Sequence, residues 1–325
     1  MNHQREDDTT GMVTLQDVHA AYERIRPYVR KTPLVQMKAV RQTLSHEGDI
    51  YLKLENMQVS GSFKARGALN TALGLTEEER QRGLVTASGG NHGMGVTYAG
   101  WLTGVPATIY LPHSTPAAKV AKLKRWGAEV VVVGRVWDDA HTAALAHTNR
   151  SGATYIHPFA DPRVIAGQGT IALELFDERP DIDHLIVAIG GGGLISGISI
   201  ATHGLKPDVK ITGVEPVGAP TLYESLKANR LVELEEVMTA AGTLAPRKSD
   251  QLNFEIIQQH VEEIVLVDDE EMRTAARWLW EEQGIAVELS GAAATAAVLS
   301  GKVLIEPGEK VCVLVCGQGT DGIEE

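Results

Sequence analysis

Apolar strand-like runs alternate with longer helical patterns along almost the whole chain, and this alternation limits the possible folds more than any other feature of the sequence. After residue 80 come "GLVTAS", a helical segment over about 92–102, and "PATIYLP". The helical "AAKVAKLKRWGA", stopped at Gly127, leads to "EVVVVG", the helical "DDAHTAALAHTN" and "TYIHPF". A second series begins with the helix "GQGTIALELF" and continues through "HLIVAIGGGG", "KITGVEP" and "EEIVLV". It then runs through the helix "DEEMRTAARWLWEEQG", with Gly284 as its C-terminal stop, to "KVCVLVCGQG". Strands that return parallel need crossover helices, and those crossovers are right-handed. The pattern therefore predicts an α/β protein with largely parallel sheets. With 325 residues it predicts two domains, a smaller one over residues 73–161 and a larger one from 1–72 and 162–325.

Composition removes several function classes. The formal net charge of −12 opposes wrapping of nucleic acid, which needs clustered Lys and Arg, and only 5% of residues are aromatic, too few for base-stacking platforms. Cys312 and Cys316 lie four residues apart in "VCVLVC"; on a strand their sulfurs stand about 13 Å apart, beyond disulfide reach. The absence of a disulfide framework points to a reducing compartment. The N-terminal "MNHQREDDTT" is too polar for a secretory signal, and no apolar run is long enough to span a membrane. A cytoplasmic protein with a small-molecule partner is expected.

Three segments carry chemistry. Gly190, Gly191, Gly192 and Gly193 follow the strand-like "LIVAI" and precede the helical "LISGIS". A strand, a glycine turn and a helix N-terminus bring N–H groups together with no Cβ to block an anion. The dinucleotide spacing G-x-G-x-x-G fails here, and no P-loop occurs. A bound phosphate is the reading favoured over a tight structural turn. In "TASGGNHGMG", Ser88, Gly89, Gly90, Asn91 and His92 open a helix and could present amides to a carboxylate, although a capped helix start explains the segment equally well. Lys64, in "SGSFKARGALN", sits among small residues. Alone it reads as a surface charge beside Arg66. Beside an anion cradle and a carboxylate loop it reads as an amine nucleophile and base, with its pKa lowered by desolvation.

"LENMQVSGSFKARGA", "ASGGNHG", "VIAGQGTIALELF" and "VAIGGGGLISG" occur in the order and approximate spacing of one enzyme group. Over nearly the whole chain the sequence resembles the fold-type II pyridoxal-phosphate (PLP) enzymes of the threonine/serine dehydratase family, relatives of serine racemase. The resemblance implies the tryptophan-synthase-β-like architecture, with two open, twisted, mostly parallel sheets flanked by helices, and a homodimer. It implies that Lys64 holds PLP, that Phe63 lies against it and that Asn91 bonds its ring hydroxyl. Gly190, Gly191, Gly192, Gly193 and Leu194 would bind its phosphate, and Ser88, Gly89, Asn91 and His92 the substrate carboxylate. Glu288 matches an acidic position near the ring, for which an exposed helix-start glutamate is the plainer account.

Departures from the family carry information as well. Cys316 stands where Ser or Thr usually faces the pyridine nitrogen, and a thiol is a weak partner, which favours prompt elimination over racemisation. A buried cysteine packing as a small hydrophobe fits this place too. Gly89 replaces the serine that serves racemases as acid/base on the second face. Glu215 matches the family's cation carboxylate, with Ala219 supplying a carbonyl, but Thr221 occupies the second carboxylate's position. A weak monovalent-cation site and a purely structural Glu215 both remain open.

The resemblance thus implies α,β-elimination of water from an L-β-hydroxy amino acid such as L-threonine or L-serine. Phe159 in "HPFADP" and the segment "GTLAPRKS" hint at a roomier pocket for an aryl substrate such as L-threo-phenylserine. A β-replacement synthase, a racemase and an inactive PLP-binding protein are the other readings. The chain stops about where such a catalytic core ends, so no regulatory domain and no inhibition by isoleucine are expected.

Overall fold

A computed structural model describes residues 13–41 and 48–323; the polar N-terminal decapeptide lies outside them. The described strands form two sheets. The larger runs β1 (Leu34–Gln36), β2 (Asp49–Leu54), β10 (Lys310–Val315), β7 (His184–Ala188), β8 (Lys210–Pro216), β9 (Glu263–Val267), parallel throughout except for the β1–β2 pair. The smaller runs β5 (Glu129–Val132), β4 (Ala107–Leu111), β3 (Leu84–Ala87), β6 (Thr154–Tyr155), all parallel. Every residue of β7, β3 and β4 is buried, as expected of parallel strands covered on both faces.

Helices α1 (Leu15–Ile25) and α2 (Lys64–Leu73) precede the small sheet. Helices α3 (Glu77–Arg82), α4 (Asn91–Thr103), α5 (Ala117–Arg125) and α6 (Trp137–Ser151) alternate with its strands. Helices α7 (Pro162–Glu178), α8 (Gly193–Leu205), α9 (Thr221–Ala228), α10 (Gln251–His260), α11 (Asp269–Gln283) and α12 (Leu289–Leu299) belong to the remainder of the large sheet's sequence. Among the described residues no helix is long and apolar enough to cross a membrane.

Helix α7 begins at Pro162, five residues before the start at Gly167 that the sequence pattern predicts. Asp161 caps it by accepting the Arg163 N–H at 2.8 Å, and proline suits the first helical position. Its glycines serve packing: a Cβ on Gly167 would fall 2.6 Å from the Gly67 Cα of α2, and one on Gly169 2.6 Å from the Gly197 carbonyl of α8. Small residues thus let α2 and α8, which carry the lysine and the glycine cradle, approach the same central helix.

Beneath α2 lies a charged cluster. The Arg66 guanidinium forks onto both Glu55 and Glu174, and Lys53 Nζ bonds Glu174 at 3.0 Å. All four side chains are buried, so Arg66 is no surface charge.

Candidate active site

The two glycine segments and Lys64 meet where strands of both sheets end, as ligand sites of open α/β sheets do. Ser88 follows β3, Gly190 follows β7 and Cys316 follows β10. "SGSFK" reaches this edge by pairing with "CGQG": Ser62 bridges Gly317, the Phe63 N–H donates to the Cys316 carbonyl at 3.4 Å, and the Gln318 N–H donates to Gly61 O at 2.8 Å. This places Lys64 at the first position of α2.

The Lys64 amine is half-buried and donates to the Pro158 carbonyl at 2.6 Å, with the Phe63 ring centroid 5.0 Å away. Burial brings its pKa down to about 8, against the opposing pull of Cys316 and Glu288. About a tenth of the amine is therefore neutral at pH 7, far more than of an ordinary lysine, as a nucleophile or base requires.

The tetraglycine forms a cradle. Gly192 takes φ +94°, a left-handed conformation, and caps α8. Among the described residues, no turn, loop or cap hydrogen bond uses the N–H of Gly190, Gly191, Gly192, Gly193 or Leu194. Five such N–H groups at a helix N-terminus are an anion site. From behind, Asn253 Nδ2 and Ser249 Oγ donate to the Gly191 carbonyl at 2.8 and 3.0 Å. The Phe159 ring lies where a Cβ on Gly191 would fall, 2.2 Å from it. Phe159, expected near the substrate, is thus packed on the cradle.

Across the cleft, the Gly90 N–H donates to Ser88 Oγ at 3.3 Å, and Asn91 opens α4. Asn91 Nδ2 donates to Glu288 Oε1 at 2.6 Å, and Thr243 Oγ1 donates to the same oxygen at 3.3 Å. The Thr243 carbonyl lies 2.8 Å from a Cβ built on Gly190, so Thr243 stands between the two glycine loops. Glu288 caps α12 in position only. Its carboxyl turns inward to Asn91, and burial raises it to about 7. It is not the exposed helix-start glutamate of the plainer account.

The His92 side chain is buried, its Nε2 2.9 Å from the Ile156 carbonyl, which makes Nε2 the protonated nitrogen. Burial drops its pKa to about 3, so any hold on a carboxylate comes from its backbone N–H. The unfolded chain binds this proton near pH 6.5 and the folded chain does not, so stability is lost as pH falls from 6.5 towards 3. The slope approaches about 1.4 kcal/mol per unit. Melting temperatures from pH 7 to 5 should fall more steeply for the native protein than for His92→Gln, which keeps a donor to Ile156; equal slopes would remove His92 as the cause.

Asn253 and His157 escape a sequence reading, whereas Thr243 and Ser249 lie in the "GTLAPRKS" segment expected near the pocket. Asn253 leaves one trace, a polar residue on the buried face of α10.

A family model described as "Pyridoxal-phosphate dependent enzyme" matches residues 25–317. The chain belongs to this family. The L-threonine ammonia-lyase of Thermotoga maritima is 41% identical over 95% of this chain and 76% of its own length. The solved threonine deaminase of "T.th." is 36% identical with a TM-score of 0.87, covering 96% of this chain and 99% of that one. Maize serine racemase is 33% identical with a TM-score of 0.87, covering 94% and 93%.

The residues present fit the family's cofactor. The cradle offers unpaired N–H groups for a phosphate and the amine of Lys64 lies at the same cleft. Cys316, on the floor, donates to the Ser290 carbonyl at 3.6 Å, and burial pushes its thiol well above the ordinary range. It therefore stays protonated. Both cysteines are free and buried.

Glu215 is fully buried at the end of β8, where it accepts the Leu222 and Tyr223 N–H groups of α9 at 2.9 and 2.7 Å. Burial raises its pKa to about 8. Ala219 is buried beside it, its N–H on the Pro216 carbonyl. Among the described residues, no group of three or more His, Cys, Asp or Glu side chains could hold a metal ion. Glu215 in this structure anchors a helix.

Proposed function

We propose that the protein eliminates water from an L-β-hydroxy amino acid of the threonine or serine kind, releasing a 2-oxo acid and ammonia. The observation that carries this reading is the Lys64 amine, depressed to about 8 and bonded to the Pro158 carbonyl, at one cleft with the tetraglycine cradle and the 88–92 loop. The named ammonia-lyase and deaminase relatives support the same reaction.

In this reading Gly190–Leu194 bind the cofactor phosphate, and the 88–92 loop orients the substrate carboxylate. When bound, pyridoxal phosphate is an electron sink for charge developing at the substrate α-carbon. Lys64, as neutral amine, takes the α-proton. Asn91, locked by Glu288, would hydrogen-bond the cofactor's ring hydroxyl. Cys316 retains its proton and would offer the cofactor's ring nitrogen only a weak partner, which would favour early loss of the β-hydroxyl.

Racemisation is disfavoured. Gly89 has no hydroxyl, and a Cβ there would fall 3.0 Å from the Thr115 methyl. A second copy of the chain is proposed to cover the face where exposed Trp101 packs edge-on against Trp126, checked by light scattering. The free buried cysteines support a cytoplasmic location.

Purified protein loaded with PLP is incubated with L-threonine, L-serine and L-threo-phenylserine, beside Lys64→Ala, and 2-oxo acid and ammonia are measured together. Equimolar release that disappears in the variant is expected, fastest with threonine or serine. Faster release from phenylserine would move the substrate to the aryl class. No release from any of the three would overturn the proposal and favour β-replacement.

A further inference from the structure

The turn between β6 and α7, residues 157–160, touches the site at two separate places. Its Pro158 carbonyl receives the Lys64 amine at 2.6 Å. Its Phe159 ring backs Gly191, its Phe159 backbone crowds Gly193, and its Phe159 carbonyl accepts Asn253 Nδ2 at 3.2 Å. A shift of this turn would move the amine's acceptor and the wall of the cradle together.

What sets the turn is His157. Its Nδ1 accepts two consecutive backbone N–H groups, those of Phe159 at 3.3 Å and Ala160 at 2.8 Å. An Nδ1 that accepts must be unprotonated, so the ring is neutral with its proton on Nε2. Burial favours the same state, lowering the pKa to about 4. The ring stands edge-on to Phe159, 4.6 Å between centroids at 89°. On its other side a row of rings leads outward: Tyr155 at 6.2 Å, then His141, whose Nδ1 lies 2.8 Å from the Tyr155 hydroxyl, then Trp137 stacked at 4.6 Å.

We propose that His157 is a positioning residue, whose Nδ1 lone pair fixes the 157–160 turn and thereby both the Lys64 amine and the cofactor-phosphate cradle. This rests on the reading of Lys64 and Gly190–Gly193 given above.

Two substitutions separate the lone pair from the ring. Asn at this position can accept N–H groups two and three residues on, as in an Asx-turn. Phe keeps the ring and loses the acceptor. The readouts are the PLP dissociation constant from absorbance titration, kcat and KM for L-threonine, and the melting temperature of the cofactor-free proteins. His157→Phe should bind PLP about tenfold more weakly and lose about tenfold in kcat, with KM little changed because the 88–92 loop is untouched. His157→Asn should retain most of both. Wild-type values in His157→Phe, or the reverse order with His157→Asn the weaker, would overturn the proposal. If His157→Phe does not fold, His157→Asn decides alone: a tenfold loss there overturns it. A wild type that binds PLP no differently from Lys64→Ala would instead defeat the functional reading itself.

Discussion

Lys64→Met is expected to abolish turnover and, in the cofactor-free protein, to raise the melting temperature. The first effect follows from removing the base: positioned proton transfer contributes about 10²–10⁴-fold, so a loss of at least about 10²-fold is expected. Added ethylamine should restore a little activity to Lys64→Ala, whose shorter side chain leaves room for it. The second effect follows from the pKa. The amine binds its proton less well in the folded state, at about 8, than at the ordinary 10.5. Below pH 8 both states are protonated and the folded one bears the cost of a poorly hydrated charge. Above 10.5 that cost is gone. The shift corresponds to about 3 kcal/mol, and to about 1–2 kcal/mol after allowance for the exposure the side chain keeps. The variant's advantage should be full at pH 7 and shrink as pH rises from 8 to 10.5. A variant that melts with the wild type at pH 7, or that retains a tenth of its turnover, would show that Lys64 is an ordinary lysine.

The alternation of strands and helices was legible because fully covered parallel strands are short apolar runs between amphipathic helices. The glycine turn was legible too, since four glycines between a strand and a helix permit the left-handed cap that Gly192 makes. The partners of these parts were not. Asn91 and Glu288 are 197 residues apart and meet only because the ends of β3 and β10 face one cleft; nothing local to "VELSGAA" says that its glutamate turns inward. The contact of Phe159 was hidden for a related reason. An aromatic near a cleft suggests a substrate wall, and nothing local says that its ring fills the space over Gly191 that a missing side chain leaves. Helix α7 was read late because glycine counts against a helix interior, whereas here Gly167 and Gly169 are the points at which neighbouring helices touch it. His157 gave no signal, since a histidine that ties down its own turn looks like any loop histidine.

Arg66 was hidden most completely, and its removal should cost the most stability. Its guanidinium makes two forked pairs, with Glu55 at 2.7 and 2.8 Å and with Glu174 at 2.7 and 2.8 Å, while Lys53 Nζ bonds Glu174 and the Thr32 carbonyl. Two positive and two negative groups are sealed together, each at most 2% exposed. Such a cluster is balanced rather than strongly stabilising, because desolvation offsets most of the attraction. Breaking it is another matter. Arg66→Met leaves two buried carboxylates facing Lys53 alone, and about 3–5 kcal/mol of stability should be lost, read as a fall in urea midpoint. Adding Glu55→Leu removes one of the stranded charges and leaves the Lys53–Glu174 pair intact, so the double variant should recover most of the loss. If the double variant is instead destabilised by the sum of the two single effects, the cluster stabilises outright and the desolvation argument fails. Arg66 lies two residues beyond Lys64 on α2 and Glu174 lies on α7, so the same cluster holds the lysine's helix to the core. Partial recovery of stability with full recovery of PLP binding would locate its value there, in aiming Lys64 at the cleft.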